Sequence, residues 1–357
     1  FDASPRHILA DISSAVRDAA HGRKVIVVAE NEPQDARLLA PCDAGGCGID
    51  ALWNDDFQHA AHVAATGRDE AYYSGYRGVA QEFVSAAKYG FLYQGQFFAW
   101  QGRRRGTPSL SHEPTRFITF LQNHDQIANT AAGRRLHRET SPGRYRALTA
   151  LLLLSPQTPM LFQGQEFGAS SPFLYFADHT PELSRLVREG RRAFMAQFPS
   201  TLASDSEPRP QDPGDSWAFV SSKLDWSERR THHDHVALHR DLLRLRRCDP
   251  VLGSPRPRRV DGSVLAEHAF VLRFFGAFGD DRLLVVNLGA RLHADPIAEP
   301  LMSPTVTADG LVRPWQTVFS TEARVYGGWG TPRLESIPYG WWIPAESAVL
   351  LAPGDDH

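Results

Sequence analysis

Along the first 250 residues, apolar positions switch between a period near 3.6 and short unbroken runs. Ile8, Leu9, Ile12 and Val16 recur at helical spacing, with Ser4 as the predicted cap, Pro5 at the first position and Gly22 at the end. Lys24-Val25-Ile26-Val27-Val28-Ala29 is a continuous run rich in β-branched residues, which predicts a buried strand over 24–29. The same grammar predicts strands over 49–53, 117–121 and 159–162. Between them, helical periodicity predicts a helix carrying His59 and Val63, and others over 79–89 and 143–154. An amphipathic helix is predicted over 236–247. The Pro-, Asp- and Ser-rich stretch 199–216 reads as a long loop. After about residue 256 the helical period fades. Apolar stretches at 269–275, 282–287, 315–319 and 347–352 are separated by Gly, Pro and Asp, a pattern of antiparallel strands.

Strand–helix alternation with polar clusters at strand ends predicts an α/β fold, a parallel (β/α)8 TIM barrel with its site at the strand C-termini. Only four such strands precede the β-rich region, and a barrel needs eight. Half a barrel exposes the apolar faces of its edge strands. The expectation is therefore the second half of a catalytic barrel over residues 1–255 and an antiparallel β-sandwich domain over 256–357. The missing N-terminal part of the same polypeptide would be a partner.

Composition narrows the function classes. The 357 residues are 42% hydrophobic, enough for a large core. A net charge of −3 gives no electrostatic footprint for nucleic acid. No apolar run approaches the roughly 20 residues of a membrane span; the longest, Ala147 to Leu154, is interrupted by Thr149. The start Phe1-Asp2-Ala3-Ser4 lacks the pattern of a secretory leader and does not begin with Met, which suggests processing or a fragment. Three cysteines, Cys42, Cys47 and Cys248, are too few for a disulfide framework and point to a reducing, cytoplasmic setting. Cys42 and Cys47 lack the second Cys/His pair of a zinc site. No clustered oxygen ligands suit calcium. No metal and no cofactor is expected.

The chemistry sits at the strand ends. The run 117–121 stops on Asn123-His124-Asp125, and the run 24–29 stops on Glu30-Asn31. A carboxylate ending a buried strand is costly unless it has partners or a task. Paired carboxylates suit glycoside hydrolysis, in which one acid protonates the leaving oxygen and others stabilise or attack the sugar centre. Each carboxylate alone could equally be a buried ion-pair partner. Neighbouring Asn31, Asn123 and His124 supply the neutral donors and acceptors that sugar hydroxyls need. Trp53 with Asp55, Asp56 and His59 could form a sugar platform, or a core Trp beside an acidic helix start. Gln126 and Glu166 complete the predicted substrate contacts. Tyr72 and Tyr73 are weaker platform candidates. Arg103-Arg104-Arg105 reads as a surface or rim loop, and His232, His233 and His235 as the solvated start of a helix.

At these residues the chain resembles the α-amylase superfamily, and within it the maltooligosyltrehalose trehalohydrolases. Phe120-Leu121-Gln122-Asn123-His124-Asp125-Gln126-Ile127 is similar to that family's strand-7 motif, and Val28-Ala29-Glu30-Asn31 to its strand-5 motif. Further similarities, in the family's order, are Trp53-Asn54-Asp55-Asp56-Phe57, Gly164-Gln165-Glu166-Phe167-Gly168-Ala169-Ser170 and Pro172-Phe173-Leu174-Tyr175-Phe176. Arg188-Glu189-Gly190-Arg191-Arg192 and Ser222-Lys223-Leu224-Asp225-Trp226 also fit.

The resemblance implies that the four strands are about strands 5–8. It implies Glu30 as general acid/base, Asp125 as the carboxylate that stabilises the transition state, and His124 as a hydrogen-bond partner of the −1 sugar. The nucleophilic aspartate would end strand 4, upstream of Phe1; Asp2 and Asp11 do not fit its motif. The implied reaction is retaining hydrolysis of the α-1,4 bond beside the trehalose end of maltooligosyl trehalose, an α-glucan oligosaccharide, releasing trehalose. The 357 residues alone are expected to be inactive. One alternative is an α-glucan branching enzyme, compatible with Gly164-Gln165-Glu166-Phe167 but disfavoured by Gln126 and by Ala29-Glu30-Asn31. Another is a non-catalytic glucan-binding module, disfavoured by the intact Glu30 and Asp125.

Overall fold

The computed structural model describes all residues except 1, 3, 5, 131, 203–211, 254–258, 307–309, 311, 337–339 and 355–357, and the side chains of 201, 202 and 336. Predicted Pro5 and the predicted boundary at 255/256 lie outside the described residues.

Four short strands form one all-parallel sheet: β1 (Val28–Ala29), β2 (Ala51–Trp53), β3 (Phe117–Thr119) and β4 (Thr158–Pro159), hydrogen-bonded in that order. Because all four run the same way, their C-terminal ends share one edge. Helices α2 (Asp55–Thr66), α3 (Ala80–Tyr89) and α5 (Pro142–Leu154) fall between successive strands, with the one-turn α4 (His124–Ala128) directly after β3. Asn54 caps α2 by accepting the Phe57 N–H, and Ser141 caps α5 by accepting from Arg144. Pro142 at the first position of α5 pre-sets its backbone.

The edge at β1 departs from the sequence reading. The predicted strand 24–29 pairs only at Val28 and Ala29. Upstream, the Val27 N–H is taken by the Asp50 carboxylate at 2.7 Å instead of by a strand. Ile26 is 76% exposed and Val28 39%. The preceding helix α1 (Ile8–Ala19) is capped by His7 Nδ1 rather than by Ser4, which turns back onto Asp2. Of its predicted apolar stripe, Ile8, Ile12 and Val16 are exposed and Leu9 is half-buried against the cluster of Ala10, Ala29 and Leu39, while Ala10 and Ser13 are buried.

Beyond α6 (Pro181–Met195) and α7 (His233–Cys248) the chain becomes antiparallel. Strands β5 (Val260–Ala266), β6 (Ala269–Phe274), β7 (Arg282–Asn287), β8 (Trp315–Ser320) and β9 (Ser347–Pro353) make a sheet in the order β8-β9-β7-β6-β5. Period-2 alternation sorts its side chains. Phe270, Leu272, Leu284, Val286 and Leu350 join the helices, including Leu148 and Leu151 of α5, in the main core. Val271, Leu283, Val285, Val349 and Leu351 face the other way, onto Met302, Trp315, Trp341 and Ile343. Burial on both faces explains why these strands read as unbroken apolar runs. α5 is buried on every side from Tyr145 to Leu154, wedged against α2, α7, β7 and β9. A buried ion pair, Arg146 to Glu322 at 2.6 Å, ties α5 to the turn after β8.

Candidate active site

The shared edge of the parallel sheet collects the predicted polar residues. After β3, Phe120 and Leu121 remain fully buried, and the strand stops because its next residues cap a helix. The Asn123 side chain accepts the Asp125 N–H at 2.8 Å, while Gln126 Oε1 accepts the Asn123 N–H at 2.8 Å. This reciprocal capping box locks α4 to the strand end. It places His124 and Asp125 in the first turn with about half of each side chain exposed, His124 Nε2 lying 3.3 Å from Asp125 Oδ1. Asn123 is buried and spent on the cap.

Glu30 follows β1 directly and is exposed. Partial burial holds its carboxyl above the usual glutamate range, the Asp125 charge adds to this, and His124 opposes it. The two acids thus act on each other across the sheet edge. Asp55, the first residue of α2 beyond β2, joins them. Crowding by protein pushes its carboxyl up to about 7; Arg105 opposes the shift, and Asp56, Glu30 and Asp125 reinforce it. Trp53 completes the corner, its ring 5.6 Å from Phe120 and 6.4 Å from His124, edge to face in both cases. Tyr72 sits close enough for its phenol to feel Asp125 and Asp55, and burial raises it to about 12. Gln126 borders a cavity of about 130 Å³ shared with His62, Tyr72, Asn129 and Arg134.

Three predicted contacts are turned elsewhere. Asp56 is fully buried and saturated: Oδ1 accepts from the Tyr76 hydroxyl at 2.5 Å and Arg105 Nε at 3.4 Å, and Oδ2 from the Leu92 and Tyr93 N–H groups at 2.7 and 2.9 Å. It braces the site from behind and has no face left for a ligand. His59 is buried among the rings of Tyr72, Tyr73 and Tyr76 at 4.9–5.1 Å. Burial, then the Arg105 charge, keeps it neutral, far below the usual histidine range. Asn31 is buried and donates its amide to Asp35 O at 3.1 Å. Glu166 lies in the turn Gln165–Phe167 after β4, where its charge acts on Arg135 and Tyr145.

A family profile described as a domain of unknown function (DUF3459) matches residues 257–336. The malto-oligosyltrehalose trehalohydrolase of Deinococcus radiodurans is 38% identical over 315 residues, 85% of this chain and 49% of the relative. That of Mycobacterium tuberculosis is 35% identical over 309 residues, 84% of this chain and 51% of the relative. Over this aligned length the chain is similar to malto-oligosyltrehalose trehalohydrolases. It spans about half the length of the curated relatives it matches. Among solved structures, a candidate alpha amylase from Salmonella typhimurium superposes with a TM-score of 0.75 at 30% identity, over 99% of this chain and 55% of that one. The α-amylase of H. orenii aligns with a TM-score of 0.52 at 13% identity, over 97% and 57%, a likeness of fold alone.

Sequence reasoning misplaced two groups. Arg105 is not on a surface loop: only 2% of its side chain is exposed, and it bridges Asp56 to Glu32, whose carboxylate lies 2.9 Å from Nη1. The hairpin Phe97–Phe98/Arg103–Arg104 carries it there, because alternate residues point to opposite sides. Of the histidines at the start of α7, His233 is exposed as expected, but His232 and His235 are not solvated. His232 Nδ1 meets Phe167 O at 3.0 Å, and His235 packs 5.8 Å from Tyr145 and 6.0 Å from His137. Among the described residues no group of three His, Cys, Asp or Glu has metal-binding geometry. No described helix is long and apolar enough to cross a membrane.

Proposed function

We propose that the polypeptide to which these residues belong is a retaining glycosidase that hydrolyses the α-1,4 bond beside the trehalose end of maltooligosyl trehalose. The observation that carries this reading is the juxtaposition of Glu30 and Asp125 at the ends of parallel strands, with Glu30 held above its usual range by burial and by Asp125. An acid raised above the usual glutamate range is a better proton donor to a leaving oxygen, and later, as carboxylate, it can activate water. Asp125 stays beside it to stabilise positive charge on the sugar, and His124 and Trp53 offer a donor and a flat apolar face. Asp55, with its carboxyl pushed up to about 7, can donate a hydrogen bond to a sugar hydroxyl.

A retaining enzyme needs a second carboxyl ~5–5.5 Å from the first to attack the anomeric carbon. We assign that group to an aspartate on a strand N-terminal to β1 in the complete polypeptide, where the exposed Ile26 and Val28 offer an edge to pair with. On this reading residues 1–255 are the second half of a catalytic barrel, 256–357 a β-sandwich domain, and the 357 residues alone are inactive. The test is product analysis with the full-length polypeptide on maltooligosyl trehalose and on amylose. Free trehalose is expected. New α-1,6 branches, or binding without turnover, would overturn the assignment.

A further inference from the structure

Glu30 carries the proton chemistry proposed above, yet its own side chain is not what fixes it. Burial and the Asp125 and His124 charges act on its carboxyl, but among the described residues no hydrogen-bond donor reaches it. Its aim is therefore set by the main chain on either side. Before it, Ala29 pairs with Leu52 of β2. After it, the Gln34 N–H closes a turn onto Asn31 O at 2.8 Å.

Arg105 fastens that turn to the site. Its Nη1 donates to Glu32 O at 2.7 Å and to the Glu32 carboxylate at 2.9 Å, while Nε reaches Asp56 Oδ1 at 3.4 Å. One planar guanidinium thus ties the chain two positions after Glu30 to α2, next to Asp55. The residues that follow extend the seam. The Gly106 N–H donates to Pro33 O at 2.8 Å, the Thr107 N–H to Gln34 O at 3.2 Å, and the Thr107 hydroxyl accepts the Ala36 N–H at 2.8 Å. The crossing is close: a Cβ on Gly106, whose φ is +75°, would stand 1.6 Å from Tyr93 O. The guanidinium also packs over the Phe98 ring at 5.3 Å.

With its side chain buried, Arg105 does not meet substrate. Whatever it contributes to turnover passes through the residues it holds. An ion pair serving stability alone needs only the Asp56 and Glu32 carboxylates; the 2.7 Å bond to Glu32 O fixes main chain.

We propose that Arg105 is a positioning residue for the hydrolysis, its fork holding the Glu32 main chain against Asp56 and so aiming the Glu30 carboxyl at the leaving oxygen. The proposal rests on the functional reading above. Lysine is a poor substitute, because one ammonium on a flexible stem keeps the charge but cannot span Glu32 O and Asp56 in a fixed geometry. Misplacing a reacting group by about 1 Å can cost roughly 10²-fold in rate.

The test follows trehalose release from maltooligosyl trehalose by the full-length polypeptide. Arg105→Lys and Arg105→Gln should each lower kcat roughly tenfold or more, with KM within about twofold of the wild type. A double-mutant cycle with Glu30→Gln separates aiming from mere stability. In that background Arg105→Lys should cost nothing further, because the acid it would misplace is gone; a merely structural loss would multiply the two effects. Glu32→Ala removes the carboxylate contact at a half-exposed position. It should lower kcat roughly threefold at unchanged KM and unchanged Tm, and it keeps the proposal testable if the Arg105 variants do not fold. Wild-type kcat in Glu32→Ala, full rescue by Arg105→Lys, or multiplying losses in the cycle would overturn the proposal. The two claims separate cleanly. Glu30→Gln turning over at the wild-type rate would sink the functional reading, whereas a crippled Glu30→Gln with multiplying losses would sink the positioning role alone.

Discussion

Replacing Asp56 by Ala removes one buried carboxylate that four donors share. Tyr76, Arg105 and the Leu92 and Tyr93 amides lose their acceptor together. Arg105 is left with its guanidinium walled off from water and Glu32, itself half exposed, as its remaining ion pair. Breaking a buried pair from one side costs about 3–5 kcal/mol, because the remaining charge stays desolvated. Two backbone donors left unsatisfied act in the same direction, about 1 kcal/mol each. The expected loss is therefore about 5–7 kcal/mol, and Asp56→Asn, which keeps one acceptor oxygen but no charge, should lose less, about 3 kcal/mol. Urea unfolding followed by fluorescence gives the total, and hydrogen exchange at the Leu92 and Tyr93 amides locates it. A loss below about 1 kcal/mol, with those two amides as protected as before, would refute a structural role for Asp56. A sugar-contacting Asp56 would behave differently: stability kept, ligand affinity lost.

Acid should weaken the fold through its buried histidines. Burial holds His62 and His137 down to about 3 and His239 to about 4, whereas the unfolded chain takes up these protons near 6.5. Between those values the unfolded state binds more protons, so stability is complete above pH ~6.5 and falls as pH drops toward 4. Denaturation midpoints at pH 7 and 5 check the sign, and His62→Gln with His137→Gln should flatten the slope. Asp55 should titrate near 7 by carboxyl-carbon NMR. Its penalty has the opposite sign, stability falling as pH rises from the ordinary aspartate range through 7; a midpoint near 4 would contradict its placement.

What was legible in the sequence followed from local grammar. The placement of Asn123 and Asp125 at a strand end could be read because a buried strand is short and continuous and its end is marked by polar residues in sequence, whereas the run before Glu30 is largely exposed. The antiparallel strands were legible for the same reason; the observed β6 and β7 fall within one residue of the predicted runs. What stayed hidden depends on pairs far apart in the chain. Nothing near Asp56 announces that Arg105 will meet it, and three adjacent arginines look alike until a hairpin turns one inward. The stripe on α1 has helical spacing, but spacing cannot say what lies opposite; in the structure Ile8, Ile12 and Val16 face solvent. His232 and His235, at the start of α7, looked solvated because their partners, Phe167 O and the Tyr145 ring, come from distant segments.

The assignment of Glu30 as the proton donor carries the whole account. The direct measurement is the rate of trehalose release from maltooligosyl trehalose by the full-length polypeptide with Glu30→Gln. A glutamine keeps the shape and cannot give or take the proton, so turnover should fall by at least roughly 10²-fold, with the fold intact by circular dichroism. Trehalose released at the wild-type rate would contradict the account.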